Sequence, residues 1–154
     1  MKAGSFTQLY VQIVFAVKYR KALLSPTIRP TIFSYMGGIL SELGHKPIII
    51  NGFVDHVHVF IGLNPSMSLS DTVHRIKRSS SLFINKNRLC KVRFQWQVGY
   101  GAFSYSHSQI SFVHKYIENQ ERHHSKLTFK DEYKEFLEKY EINYDERFLF
   151  NPPE

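Results

Sequence analysis

From residue 6 the chain alternates, with Phe6, Gln8, Tyr10, Gln12 and Val14 on one side and Thr7, Leu9, Val11, Ile13 and Phe15 on the other. A period of two with one face partly polar predicts a first strand. The pattern then changes. Ser25-Pro26 has the form of a helix start, with serine as cap and proline in the first turn. Ile28, Ile32, Tyr35, Ile39, Leu40 and Leu43 recur at spacings of three and four, so the helix extends to Leu43 and Gly44 ends it. Pro30 either lies within the tolerant first turns or delays the start. Pro47 to Asn51 with Phe53 predicts a second strand, and Asn51-Gly52 a bulge or tight turn. Val54 to Leu63 is a third strand, apolar at nearly every position except Asp55, His56 and His58.

Asn64-Pro65 breaks that strand, and Ser68 or Ser70 can cap a helix over about Asp71 to Lys86. Its apolar residues, Val73, Ile76, Leu82 and Phe83, are sparse. Phe94 to Tyr105 reads as extended, with Gly99 and Gly101 suited to a bulge or a close backbone approach. Ser106 or Ser108 caps a helix from about Gln109 to His124, with Ile110, Val113 and Ile117 on its core side. Phe112, Tyr116 and Gln120 form a neighbouring row at spacing four, so the phenol and the amide share a face one turn apart. A last helix carries Phe129, Tyr133, Phe136, Leu137 and Tyr140 as its stripe, and Tyr144 to Phe150 is aromatic enough to dock on a neighbour. The order strand, helix, strand, strand, helix, strand, helix predicts an α+β sandwich of ferredoxin-like plan, an antiparallel sheet with helices on one face.

The 154 residues fit a single domain, with about 125–154 as its C-terminal helix and tail. Twenty Lys and Arg against 13 Asp and Glu give a net charge of +7, which favours a polyanionic partner over a neutral one. Lys18 and Arg20 after the first strand, and Arg75, Lys77 and Arg78 on the second helix, are the candidate contacts to the phosphates of such a partner. The same helix face could simply be solvated. The single cysteine, Cys90, excludes an intrachain disulfide and a Cys pair for zinc, and points to the cytoplasm. No stretch has the apolar length of a membrane span, and the N-terminal apolar run is interrupted by Gln8, Gln12 and Lys18 without a cleavage pattern.

The densest chemistry is His56-Val57-His58. Two residues apart on a strand, the imidazoles share a face with Cα atoms about 6.5–7 Å apart. They can converge on one ion or be satisfied by hydrogen bonds. On an otherwise apolar strand they need partners in either case.

With Asp55-His56-Val57-His58 on a central strand and Tyr116-Ile117-Glu118-Asn119-Gln120 on a later helix, the chain resembles the single-tyrosine transposases of the HUH superfamily. These are small insertion-sequence enzymes related to the REP-associated tyrosine transposases. The resemblance spans nearly the whole chain. It includes Leu9 to Ala16, Gly99 to Ser104 and the late Tyr144-Asp145-Glu146-Arg147-Phe148. It implies that His56, His58 and Gln120 hold a divalent cation, Mg²⁺ or Mn²⁺, and that Tyr116 is the nucleophile. It further implies a ferredoxin-like fold, single-stranded DNA with hairpin ends as substrate, and a homodimer in which the tyrosine helix of one subunit can complete the other's site.

The chemistry of these residue types suits those roles. A phenol with an ordinary pKa near 10 needs assistance at neutral pH. A cation on two imidazoles and an amide keeps its charge and open positions for phosphate oxygens. Asp55 lies on the opposite strand face and is expected to be structural or to support the histidines. His74, His114, His123 and His124 are expected on surfaces, and Tyr100 and Tyr105 are the rival nucleophiles. The competing functions are a non-catalytic single-stranded nucleic-acid binder, which a domesticated transposase would be, and a phosphoesterase that uses water instead of tyrosine.

Overall fold

A computed structural model describes residues 4–145. Its strands are β1 (Tyr10–Ala16), β2 (Lys46–Gly52), β3 (His56–Gly62) and β4 (Gly101–Tyr105). They form one antiparallel sheet in the order β2-β3-β1-β4. The helices are α1 (Arg29–Glu42), α2 (Leu69–Lys86), α3 (Ile110–Glu118), α4 (Gln120–His123) and α5 (Phe129–Lys139). The first six elements run βαββαβ, the ferredoxin-like plan. None of the helices among the described residues is long and apolar enough to cross a membrane.

The two inner strands decide how the layers form. The odd positions Val11, Ile13 and Phe15 of β1 and Val57, Val59 and Ile61 of β3 face α1 and α2. There they pack with Ile32, Met36, Leu40, Val73 and Ile76 in the main core. Even positions face the other way: Val14 and Ala16 meet Phe129 and Leu137 of α5, and Phe60 meets Val113 and Ile117 of α3. The expectation of helices on one face therefore accounts for α1 and α2 only. Positions 11–16 and 56–61 are buried on both sides, which requires a second helical layer, and α3 to α5 supply it.

Element ends follow local chemistry. α1 begins at Arg29 rather than at Ser25-Pro26, because Pro30, which cannot donate to a preceding turn, is confined to the first positions. Gly44, at φ +84°, turns the chain away after the helix. Ser68 caps α2 by accepting from Asp71 N at 3.0 Å. At the β2–β3 turn a Cβ on Gly52 would stand 2.2 Å from His56 O, so only glycine lets the strands close directly behind the histidine pair. The extended segment expected over Phe94–Tyr105 is regular only from Gly101; before it, Trp96 bridges to Val17 and donates to Ser80 Oγ at 2.9 Å. Of the tail expected to dock, Glu146 onward lies outside the described residues.

Candidate active site

His56 and His58 are completely buried on the β3 face that looks towards α3–α5, with ring centroids 5.1 Å apart. Each Nδ1 faces an acceptor. His56 Nδ1 is 2.8 Å from Asp55 Oδ1, and His58 Nδ1 is 2.6 Å from Gln12 Oε1. Gln12, from β1, is oriented for this by donating its Nε2 to Tyr105 Oη at 2.8 Å. Asp55 reaches His56 because the strand starts one residue later, so the opposite-face argument does not bind it. Both Nδ1 atoms thus act as donors, and a neutral ring so held presents the lone pair of Nε2. Burial pulls the His56 pKa below the ordinary imidazole value despite the hydrogen bond to Asp55.

Those Nε2 atoms face oxygens. Gln120 Oε1 is 3.0 Å from His56 Nε2, and Glu132 Oε1 is 3.2 Å from His58 Nε2 and 3.4 Å from His56 Nε2. Lone pairs turned towards amide and carboxylate oxygens repel unless a proton or a cation stands among them. Ligand atoms about 2.1 Å from a six-coordinate divalent ion are about 3 Å from their neighbours, so the donor set fits one. His56, His58 and Glu132 form a fully buried group able to bind a metal.

Tyr116 stands beside this group, its hydroxyl donating to Glu132 Oε2 and lying 3.2 Å from His123 Nε2. Burial pushes the phenol well above its ordinary pKa, and the charge and hydrogen bond of Glu132 push further. The helix expected over 109–124 breaks at Asn119, so Gln120 opens α4 instead of continuing the helix of Tyr116. Asn51 Nδ2 takes the freed carbonyls of Ile117 and Glu118, at 3.0 and 3.2 Å. Gln120 is nevertheless fully buried, bridging His56 Nε2 and Glu132 Oε2 (3.1 Å from its Nε2). His56, His58, Tyr116 and Gln120 are thus brought together within one chain.

Glu132 was not anticipated. Burial raises its pKa, but the imidazole of His58 and the hydrogen bond with His124 outweigh that and hold it below the ordinary carboxylate value. Its signal was a carboxylate within an apolar stripe, between Phe129 and Phe136 at spacings of three and four. His124 is the second correction. Expected at the surface, its side chain is 2% exposed, with Nδ1 donating to Leu127 O and Nε2 3.0 Å from Glu132 Oε1. Burial lowers its pKa, but Glu132 more than offsets this and the net shift is upward. Tyr100 lies outside the cluster, and Tyr105 reaches it through Gln12.

The five basic candidates lie elsewhere. Lys18 and Arg20 sit in the turn after β1, where Lys18 Nζ is 5.3 Å from the Tyr19 ring centre. Arg75 and Arg78 are exposed on α2, across the sheet from Tyr116. Lys77 is partly buried, and its ammonium donates to the carbonyls of Gln97 (2.7 Å) and Gly99, which occupies it within the fold. Burial brings its pKa down to about 8.

The fold is a small α+β domain whose sheet carries paired histidines beside a helical tyrosine, and comparison with known proteins shows the family. Residues 5–120 match the IS200-like transposase family. The chain belongs to that family, as its residues suggested, and is a transposase of insertion-sequence type. It is 25% identical over 122 residues to the ISDra2 transposase TnpA of Deinococcus radiodurans, covering 76% of this chain and 87% of that protein. Two solved structures share the fold. One, assigned as a transposase of Deinococcus radiodurans R1, has a TM-score of 0.63 at 22% identity and covers 78% of this chain and 96% of its own. The other, a REP-associated tyrosine transposase bound to a REP hairpin, has a TM-score of 0.61 at 11% identity, covering 82% and 76%.

Proposed function

We propose that this transposase is a metal-dependent single-strand DNA endonuclease and strand transferase that uses Tyr116 as nucleophile. The observation that carries the reading is convergence: His56 and His58 from β3 meet Tyr116 of α3 and Gln120 of α4, which follow more than 50 residues later, in one cluster. A divalent cation held by His56, His58 and Gln120 would supply positive charge to the non-bridging oxygens of a scissile phosphate.

The chain's own residues account for the rest. Asp55 and Gln12 fix the rotation and tautomer of the two imidazoles, so their Nε2 atoms are aimed before any substrate arrives. Glu132 and His123 hold the Tyr116 hydroxyl in place. A cleft of about 140 Å³, lined in part by Phe112, Tyr116, Glu132 and Lys139, gives access to it from solvent. The phenolic oxygen gives up its proton and forms a phosphorus–oxygen bond as the bond to the 3′ oxygen breaks, and the leaving oxygen takes up one proton in exchange and departs as a hydroxyl. The product is a 5′-phosphotyrosine. Attack by another 3′-hydroxyl reverses these changes and joins strands, without a nucleotide cofactor.

The substrate is proposed to be single-stranded DNA carrying hairpins, which the complex of the REP-associated relative supports. Lys18, Arg20, Arg75 and Arg78 are its candidate phosphate contacts, with Lys77 contributing only if it is released from the two carbonyls it now binds. The working form is proposed to be a homodimer, each subunit's site being complete within its own chain. Labelled hairpin DNA from the gene's own flanks, incubated with wild type or Tyr116→Phe in Mn²⁺ or EDTA and run on a denaturing gel, tests the reading. A covalent adduct that needs both metal and Tyr116 is the expected result. Cleavage that survives Tyr116→Phe would mean water is the nucleophile, and binding without cleavage would mean a nucleic-acid binder.

A further inference from the structure

Glu132 occupies a position that neither a strand nor the tyrosine helix provides. It comes from α5, beyond the residues 5–120 that match the family. Its side chain is 1% exposed, and its two oxygens face different neighbours. Oε1 lies 3.2 Å and 3.4 Å from the Nε2 atoms of His58 and His56, while Oε2 accepts from Tyr116 Oη and from Gln120 Nε2 at 3.1 Å. α5 is built to keep it there. Thr128 caps the helix by accepting from Asp131 N at 3.2 Å, Phe129 stacks on the His56 ring at 4.2 Å, and Phe136 stacks on Phe103 at 5.0 Å.

We propose that Glu132 is a bridging carboxylate, Oε1 completing the cation site with His56 and His58 while Oε2 positions the Tyr116 hydroxyl. The inference rests on the reading of this cluster as the active site. It assigns α5 a direct part in the chemistry, since one rigid side chain then sets the distance between cation and nucleophile. It also lowers the net charge of the site by one relative to a set of neutral ligands. A neutral set would bind a hard cation more weakly. The competing role is a carboxylate that only balances the charge of His124, 3.0 Å away.

The test uses the full chain without DNA. Mn²⁺ affinity is measured by calorimetry for wild type, Glu132→Gln and Glu132→Asp, and a ¹³C label on the tyrosine ring follows the Tyr116 resonance during titration with Mg²⁺. Bridging predicts that Glu132→Gln weakens Mn²⁺ binding by at least about tenfold, that Glu132→Asp recovers part of it, and that the Mg²⁺-induced shift of Tyr116 disappears in Glu132→Gln. Thermal unfolding without metal checks that the variants are folded, and if Glu132→Gln is not, Glu132→Asp carries the comparison against wild type. Unchanged or tighter Mn²⁺ binding in the folded variants, with the Tyr116 shift retained, overturns the bridge. If wild type still forms the Tyr116 adduct in that case, only the bridge falls. If wild type binds no Mn²⁺ and forms no adduct, the active-site reading falls with it.

Discussion

The two faces of the β1–β3 pair are made by alternate residues of the same strands, yet they differ in kind. Towards α1 and α2 the strands present Val11, Ile13, Phe15, Val57, Val59 and Ile61, all apolar and buried. Towards α3–α5 they present Gln12, His56 and His58 among Val14, Ala16 and Phe60. The first face gains stability from each side chain it removes from water. The second gives up part of that gain, since every buried polar atom must find a partner, and the imidazoles, the amides and the carboxylates of Asp55 and Glu132 form a connected set for that reason. Holding both in one sheet separates the demands: the apolar face keeps the strands rigid, and the polar face needs that rigidity to hold its atoms at fixed distances.

Substitutions can break this division. Met36→Ala, on the apolar face, is expected to cost about 2–5 kcal/mol in urea unfolding and leave Mn²⁺ affinity unchanged in the folded protein. His58→Asn is expected to do the reverse, lowering Mn²⁺ affinity by about a hundredfold or more, read by calorimetry, since a ligand matters at least as much as the groups that orient it. A stability loss equal to that of Met36→Ala, with metal binding intact, would show the polar face to be structural. Gln12→Leu removes the acceptor for His58 Nδ1 and should weaken Mn²⁺ binding by about tenfold, with the adduct at Tyr116 still forming at saturating metal.

The smallest effects are those of pH, and on both faces stability rises with pH, in separate windows. Glu132 has a folded pKa below its ordinary 4.5, so its contribution is complete above that value and is lost as pH falls. The stability difference between wild type and Glu132→Gln, measured without metal, should therefore shrink on acidification below 4.5. Lys77 has a folded pKa of about 8 against 10.5 unfolded, so between those values the unfolded chain binds more protons and stability rises with pH. That rise should be absent in Lys77→Met, and it should be modest because the ammonium is partly exposed.

Much of this was legible along the chain because periodicity is local. The alternation at 9–16, the His-x-His pair, a serine start of α2 at Ser68 or Ser70 and the stripe of α5 each follow from neighbours within a few residues. Pro30 was a case where a single residue overrode the pattern, because a missing N–H outweighs a favourable cap five residues earlier. Tyr116 and Gln120 were legible through the family likeness.

By itself, then, the sequence determined the order of elements, the face shared by His56 and His58, and the residue types for cation and phosphate chemistry. Only the tertiary structure decided that α5 folds back over the histidines, that Glu132 and His124 enter the cluster, that Gln12 and Asp55 orient the rings, that Asn51 takes up the break at Asn119, and that Lys77 is committed to two carbonyls. The reason is physical. Side-chain direction along an element is set by backbone geometry over a few residues, whereas a meeting of groups 74 positions apart, such as His58 and Glu132, is set by how whole layers pack.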